Sequence, residues 1–251
     1  MKTIIDQYEN QIAEIIMQKE LKALYDNDYV YNNRNILDIL KISKLQNPKM
    51  PNFNKFKNCW DIINCNVDFR LHVALLYIYL PYINNPIKEF FQDEDFYSAL
   101  YFQNIYDKRF SCYASICFEK LYNYLDRVGD LLAYNDLKFQ RYTESKIYFN
   151  TAIDNFKKDK LYYGQKYFDE IVKYRDEEYK IINSNRSQIV HYYHFETQYR
   201  FDFTINSTNK EKINELWAFK SSLPEFFKER LYRSNELFYN VLNFLEKELS
   251  Y

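Results

Sequence analysis

The chain has 251 residues, 47% hydrophobic and 20% aromatic, yet only two glycines and five prolines. Tight β-turns consume Gly and Pro, so a many-stranded sandwich or barrel is excluded. Gly129 and Gly164 stand too far apart for a Gly-rich phosphate loop, and the apolar content excludes disorder. Thirty-four basic against 35 acidic residues leave a net charge of −1, so nucleic acid or anionic membrane could be held only by a local patch.

Asp6 and Glu9 interrupt the N-terminus where a signal peptide needs an unbroken apolar stretch. The most apolar run, Leu71 to Ile83, is too short for a membrane span and is broken by Pro81, so a cytoplasmic chain without membrane contact is expected. Apolar residues from Ile5 to Leu24 recur at helical spacing, which predicts a first helix over Thr3 to Asn27. A second is predicted over Asn33 to Leu45, followed by a loop with Pro48 and Pro51. Next come a buried helix over Asp68 to Tyr82, stopped near Pro81, and a long one over Asp95 to Asn135. Helices over Glu144 to Lys158 and Tyr163 to Ile182 follow, joined by a polar turn, and Arg186 to Phe195 reads as helical again. Tyr199, Phe201, Phe203 and Ile205 alternate, which allows a short extended segment or hairpin near 198–206. Thr208 then opens a helix, and Pro224 suits the first turn of a last one reaching Leu249.

The prediction is an all-α, up-and-down multi-helix bundle forming one domain over 1–251. Residues 1–65 form an N-terminal helical pair and loop, and 66–251 the core. No repeat period emerges, so a compact bundle is favoured over a solenoid.

Metal chemistry finds little to work with. The spacings Cys59-x5-Cys65 and Cys112-x4-Cys117 are not those of a zinc knuckle, and reduced structural thiols are expected. Glu-x-x-His pairs and His-Glu-x-x-His are absent, which removes di-iron carboxylate bundles and the commonest zinc proteases. His191 and His194 share a helical face but lack a phased third ligand, and no Gly-x-Ser-x-Gly elbow exists. Neither a metal nor a cofactor is expected.

What remains is Arg186-Ser187-Gln188-Ile189-Val190-His191, after a polar break that includes Asn185. The Arg-x4-His spacing in an all-α chain resembles the signature of the HEPN superfamily, many of whose members are ribonucleases. Where those members usually carry Asn, Asp or His after the Arg, this chain carries Ser187. The resemblance implies a HEPN-type core with Arg186 and His191 as catalytic residues and Ser187 and Asn185 as supporting ones. It also implies a homodimer through the motif face, each protomer supplying one Arg and one His. The implied reaction is metal-independent attack of an RNA 2′-hydroxyl on the adjacent phosphate, in a toxin or defence setting.

The residues suit that chemistry. On a helix Ser187 and His191 share a face. An imidazole exchanges a proton near neutral pH, and a guanidinium forks two hydrogen bonds onto a phosphate. In the bland alternative Arg186 caps or salt-bridges locally and His191 is half-buried, as His72 is expected to be a hydrogen-bonded core residue and His194 a bystander.

Asp126 and Asp130 stand at i and i+4 beside Gly129, whose mid-helix position suggests a bend or a close helix approach. The two carboxylates either pair with a basic residue on a neighbouring helix or support Arg186 and the histidine from behind. The tyrosine wealth reads first as core and interface, and second as a base-stacking platform. The rival function is a non-catalytic helical module docking onto a protein partner, such as an antitoxin or a nucleotidyltransferase.

Overall fold

Asparagines begin the long helices. Asn54, Asn104 and Asn209 each accept the backbone N–H three residues on, at 3.0, 2.8 and 3.0 Å, which satisfies a donor the helix cannot. The structure is a computed structural model that describes residues 2–38, 54–86, 90–93, 96–99, 101–135, 148–158, 160–184 and 195–249. Among these, seven helices exceed a single turn: α1 (Lys2–Gln18), α2 (Lys55–Tyr79), α3 (Ile105–Asn135), α4 (Phe149–Lys157), α5 (Lys166–Tyr174), α6 (Phe195–Ile205) and α7 (Lys210–Asn243). α5 runs on into a π-helical turn, Arg175–Tyr179, and α7 into another, Phe244–Glu248. The all-α expectation holds.

The chain divides into two compact units. The first comprises residues 1–21, 70–118 and 185–229. Its core joins Val73, Leu76, Phe110, Ala114, Phe118, Phe203, Leu223 and Phe227, with the Phe118 and Phe227 rings edge to face at 4.7 Å. The second comprises 22–69, 119–184 and 230–251. There Phe156, Tyr162, Phe168 and Phe244 form a mutual aromatic cluster with centroids 5.2–6.1 Å apart. Asn66 is buried and fully used, accepting from Leu24 N–H at 2.8 Å and donating to Asn235 at 2.8 Å. The Glu248 carboxylate caps α5 by accepting from the N–H groups of Tyr167 and Phe168 at 2.9 and 3.0 Å, where the helix dipole favours an anion. No helix among the described residues is long and apolar enough to cross a membrane.

Several boundaries differ from the sequence expectation. The first helix ends at Gln18 rather than Asn27. Glu20 adopts φ 53°, Leu21 N–H reaches Ile16 C=O at 2.9 Å and Glu20 N–H reaches Met17 C=O at 3.1 Å, which is a complete Schellman ending. The helix expected from Asn33 does not begin there. Asn32 and Asn33 both have positive φ, 48° and 61°, and form the two-residue turn of a small hairpin, β1 (Val30–Tyr31) with β2 (Arg34–Asn35). The helix expected from Asp95 starts at Ile105, because 96–99 form β4, paired antiparallel with β3 (Phe90–Asp93).

The extended segment allowed near 198–206 is instead α6. Glu196, Tyr199 and Phe203 form its buried side at i, i+3 and i+7, so the helical period outweighs the alternation. Pro224 opens no helix and lies inside α7. The hydroxyls of Ser221 and Ser222, in the turn before it, donate to the carbonyls of Trp217 (2.8 Å) and Phe219 (2.9 Å), adding bonds where the proline removes one.

Candidate functional site

α3 begins with a reciprocal cap. Asp107 N–H donates to the Asn104 side chain at 2.8 Å, and Asn104 N–H returns a bond to Asp107 Oδ2 at 3.1 Å. Asp107 Oδ2 also accepts from Asn84 N–H at 3.3 Å. Its other oxygen, Oδ1, takes the Lys220 ammonium of α7 at 3.0 Å, and both side chains are essentially sealed from water, at 0% and 1% exposure. Glu196 of α6 completes the group, its Oε2 lying 3.7 Å from Lys220 Nζ. Tyr101 and Ser111 donate their hydroxyls to the same carboxylate. The Lys220 ammonium also stands over the Tyr199 ring, 4.6 Å from its centroid.

Two carboxylates and one ammonium are thus buried together in the first unit. Burial pushes the Tyr101 phenol well above its ordinary range, reinforced by its bond to Glu196, and burial likewise raises Tyr199. Both phenols stay protonated at any physiological pH and act as hydrogen-bond or packing groups rather than bases. With its charges enclosed, the cluster cannot touch a substrate. It anchors α6, and with it the start of the chain that follows residue 194, to α3 and α7.

Sequence reasoning missed this cluster, although the signal is present. Asp107 precedes Phe110 and Ala114 at i+3 and i+7, Glu196 precedes Tyr199 and Phe203, and Lys220 precedes Leu223 and Phe227 at the same offsets. Each charge continues a buried stripe of its own helix, a position that calls for a partner.

The motif residues Asn185, Arg186, Ser187 and His191, and the neighbouring His194, lie outside the described residues. Asp126 and Asp130 lie on the part of α3 in the second unit. Arg127 joins Asp130 at 3.4 Å to Asp61 of α2 at 2.8 Å, so Asp130 is engaged with a basic residue of its own helix. Gly129 has the close approach its position suggested, since a Cβ there would lie 2.8 Å from the backbone N and Cα of Phe149. His72 is half-buried, with its ring 5.9 Å from that of Tyr113. All four cysteines are free, and burial raises the Cys117 thiol well above its usual range. Among the described residues no group of three or more His, Cys, Asp or Glu side chains could hold a metal ion.

A family model described as HEPN_Cthe2314-like HEPN matches residues 74–246. No curated protein and no solved structure matches the chain.

Proposed function

The chain belongs to the HEPN_Cthe2314-like HEPN family, and from that membership we propose that it is a metal-independent ribonuclease acting through Arg186 and His191. At the superfamily level the domain type is associated with nuclease, RNA-related or nucleotide-binding function, and such domains commonly dimerise. The observation that carries the finer reading is that the matched span, 74–246, encloses the Arg186-x4-His191 spacing.

In this mechanism His191 takes the proton of an RNA 2′-hydroxyl as the oxygen attacks the adjacent phosphorus. The 5′-oxygen leaves with a proton from an acid, and a 2′,3′-cyclic phosphate remains. Arg186 holds the non-bridging oxygens and balances their growing negative charge. One His serves base and acid in turn less well than two, so a homodimer that brings both motifs to one two-fold face completes the site. Ser187 and Asn185 support the pair with hydrogen bonds, and Asp126 and Asp130 act at most through other groups. We take 1–251 as one functional domain, its core at 66–251, regulated in a toxin or defence setting by a protein partner such as an antitoxin or nucleotidyltransferase.

The test is cleavage of a single-stranded RNA by purified protein in excess chelator. Cleavage that persists, leaves cyclic ends and falls away below about pH 6, where imidazole is protonated, supports the reading. Intact RNA, or cleavage only with added divalent metal, removes it and leaves the interaction module.

A further inference from the structure

The first unit carries a run of aromatic rings at its surface that core packing does not account for. Tyr106, Arg109 and Tyr113 stand at i, i+3 and i+7 on α3, His72 and Tyr79 at i and i+7 on α2, and Tyr82 follows in the 3-10 turn Leu80–Tyr82. Ring centroids run Tyr82–Tyr106 at 5.3 Å, Tyr106–Tyr79 at 6.3 Å, Tyr79–Tyr113 at 5.5 Å and Tyr113–His72 at 5.9 Å. Tyr79 forms the base at 7% exposure, whereas Tyr82 and Tyr106 stand out at 55% and 43%. Arg109 is exposed, donates to the Tyr79 hydroxyl at 3.0 Å and sets its guanidinium 6.0 Å from that ring. Tyr8 of α1 joins from the side. Partial burial, with the nearby hydroxyls of Tyr113 and Tyr79, pushes its phenol up to about 12.

We propose that this tyrosine ladder is a stacking platform for about two consecutive bases of single-stranded RNA, with Arg109 on the intervening phosphate. The inference rests on the ribonuclease reading, because it supplies the grip on RNA that a net charge of −1 denies to the molecule as a whole. Every base has a π-face, so such a platform takes unpaired bases regardless of sequence and rejects a duplex whose bases already stack on each other. The charges nearby are consistent with it. On α1, Asp6 and Glu9 are turned about 160° and 100° around the helix from Tyr8, away from the ladder. Ile4 and Ile5, one turn before Tyr8, are exposed and widen the surface with aliphatic area, which a protein partner would use equally. The pairing of half-exposed phenol rings with an exposed guanidinium, which one hydrogen bond to Tyr79 leaves with further donors for a phosphate, favours the nucleic acid.

The measurement is fluorescence anisotropy of a labelled single-stranded RNA of about ten nucleotides, with His191→Ala as the parent so that no cleavage intervenes. Tyr82→Ala with Tyr106→Ala should weaken binding by about tenfold or more, and Tyr→Phe at both positions should restore it to within about twofold. Arg109→Gln should reduce the slope of log affinity against log salt by about 0.7, the share of one phosphate contact on a single strand. If the double alanine variant loses helicity, Tyr82→Ala alone carries the test, since Tyr82 ends a short 3-10 turn outside the α-helices and is 55% exposed. Unchanged RNA affinity in the alanine variants overturns the proposal, as does equal competition by duplex RNA. So does a loss of self-association with RNA affinity intact, which would make the face an interface between copies. Tyrosine-dependent binding by a native chain that cuts nothing sinks the ribonuclease reading and leaves the platform. Cleavage by a native chain whose RNA affinity ignores Tyr82 and Tyr106 does the reverse.

Discussion

At Gly129 the absence of a side chain lets the α4 backbone come within 2.8 Å of where a Cβ would stand. The neighbour is main chain at Phe149, which is itself fully buried and cannot swing aside. Gly129→Ala should therefore lower stability by about 1–3 kcal/mol, even though alanine favours a helix interior by about 1 kcal/mol. Urea titration reads the difference, and an alanine variant as stable as the parent would mean that α4 shifts freely. A mid-helix glycine in a chain with only one other was legible as a close approach or a bend. Which backbone approaches it was not, because no residue near 129 encodes the partner. Asn32 and Asn33 show the opposite case. The pair was there to be read as a two-residue turn, yet the apolar residues after it suggested a helix, and the left-handed preference of asparagine prevailed.

Among the elements, α6 depends on charges held away from water. Removing the Lys220 ammonium leaves Asp107 and Glu196 buried without their cation, and breaking such a pair costs about 3–5 kcal/mol. Lys220→Met should unfold the protein at markedly lower denaturant. The triple variant Lys220→Met, Asp107→Asn, Glu196→Gln should recover a large part of the loss, because its remaining polar groups are neutral. Equal stability of parent and Lys220→Met would show that the cluster is not sealed. Most of the helices were legible from apolar spacing, including the long α3 and the buried C-terminal half of α2, but α6 and the first half of α2 were not. Their ends were less so. Proline usually marks a first turn, but Pro224 sits inside α7, where the Ser221 and Ser222 hydroxyls bond carbonyls of the turn before it. The buried stripes mark each of the three charges as needing a partner, but the charges come from three helices, and no local pattern says which partner each one meets.

For the molecule as a whole, tyrosine burial sets the response to pH. Burial raises Tyr101, Tyr124, Tyr174 and Tyr199 above the ordinary phenol value, and Tyr8 rises to about 12. An unfolded chain releases these protons near pH 10, before the folded one does, so above that point the unfolded state binds fewer protons and stability falls as pH rises. The stabilisation is complete below about pH 10 and is lost on the way up to the folded values. Melting temperature should stay level from pH 7 to about 8.5, decline slightly as unfolded-state thiols ionise against the buried Cys117, and drop steeply above about 10, with tyrosinate absorbance from the buried rings appearing only as helicity is lost. Ionisation of those rings in the intact fold at the ordinary value would contradict it.

The all-α class was legible because scarce Gly and Pro agree with the 3.6-residue apolar period of the longer segments. The proposed function rests on six residues, Arg186 to His191, since chemistry resides in a few side chains that packing does not dictate. The central claim therefore rests on His191. The measurement is chelator-treated cleavage of single-stranded RNA by the native chain, by His191→Ala and by His194→Ala, with product ends analysed and helicity recorded for all three. The account predicts 2′,3′-cyclic ends from the native chain, near-native cleavage from His194→Ala, and none from a fully folded His191→Ala. Undiminished cleavage by His191→Ala, or none by the native chain, would contradict it.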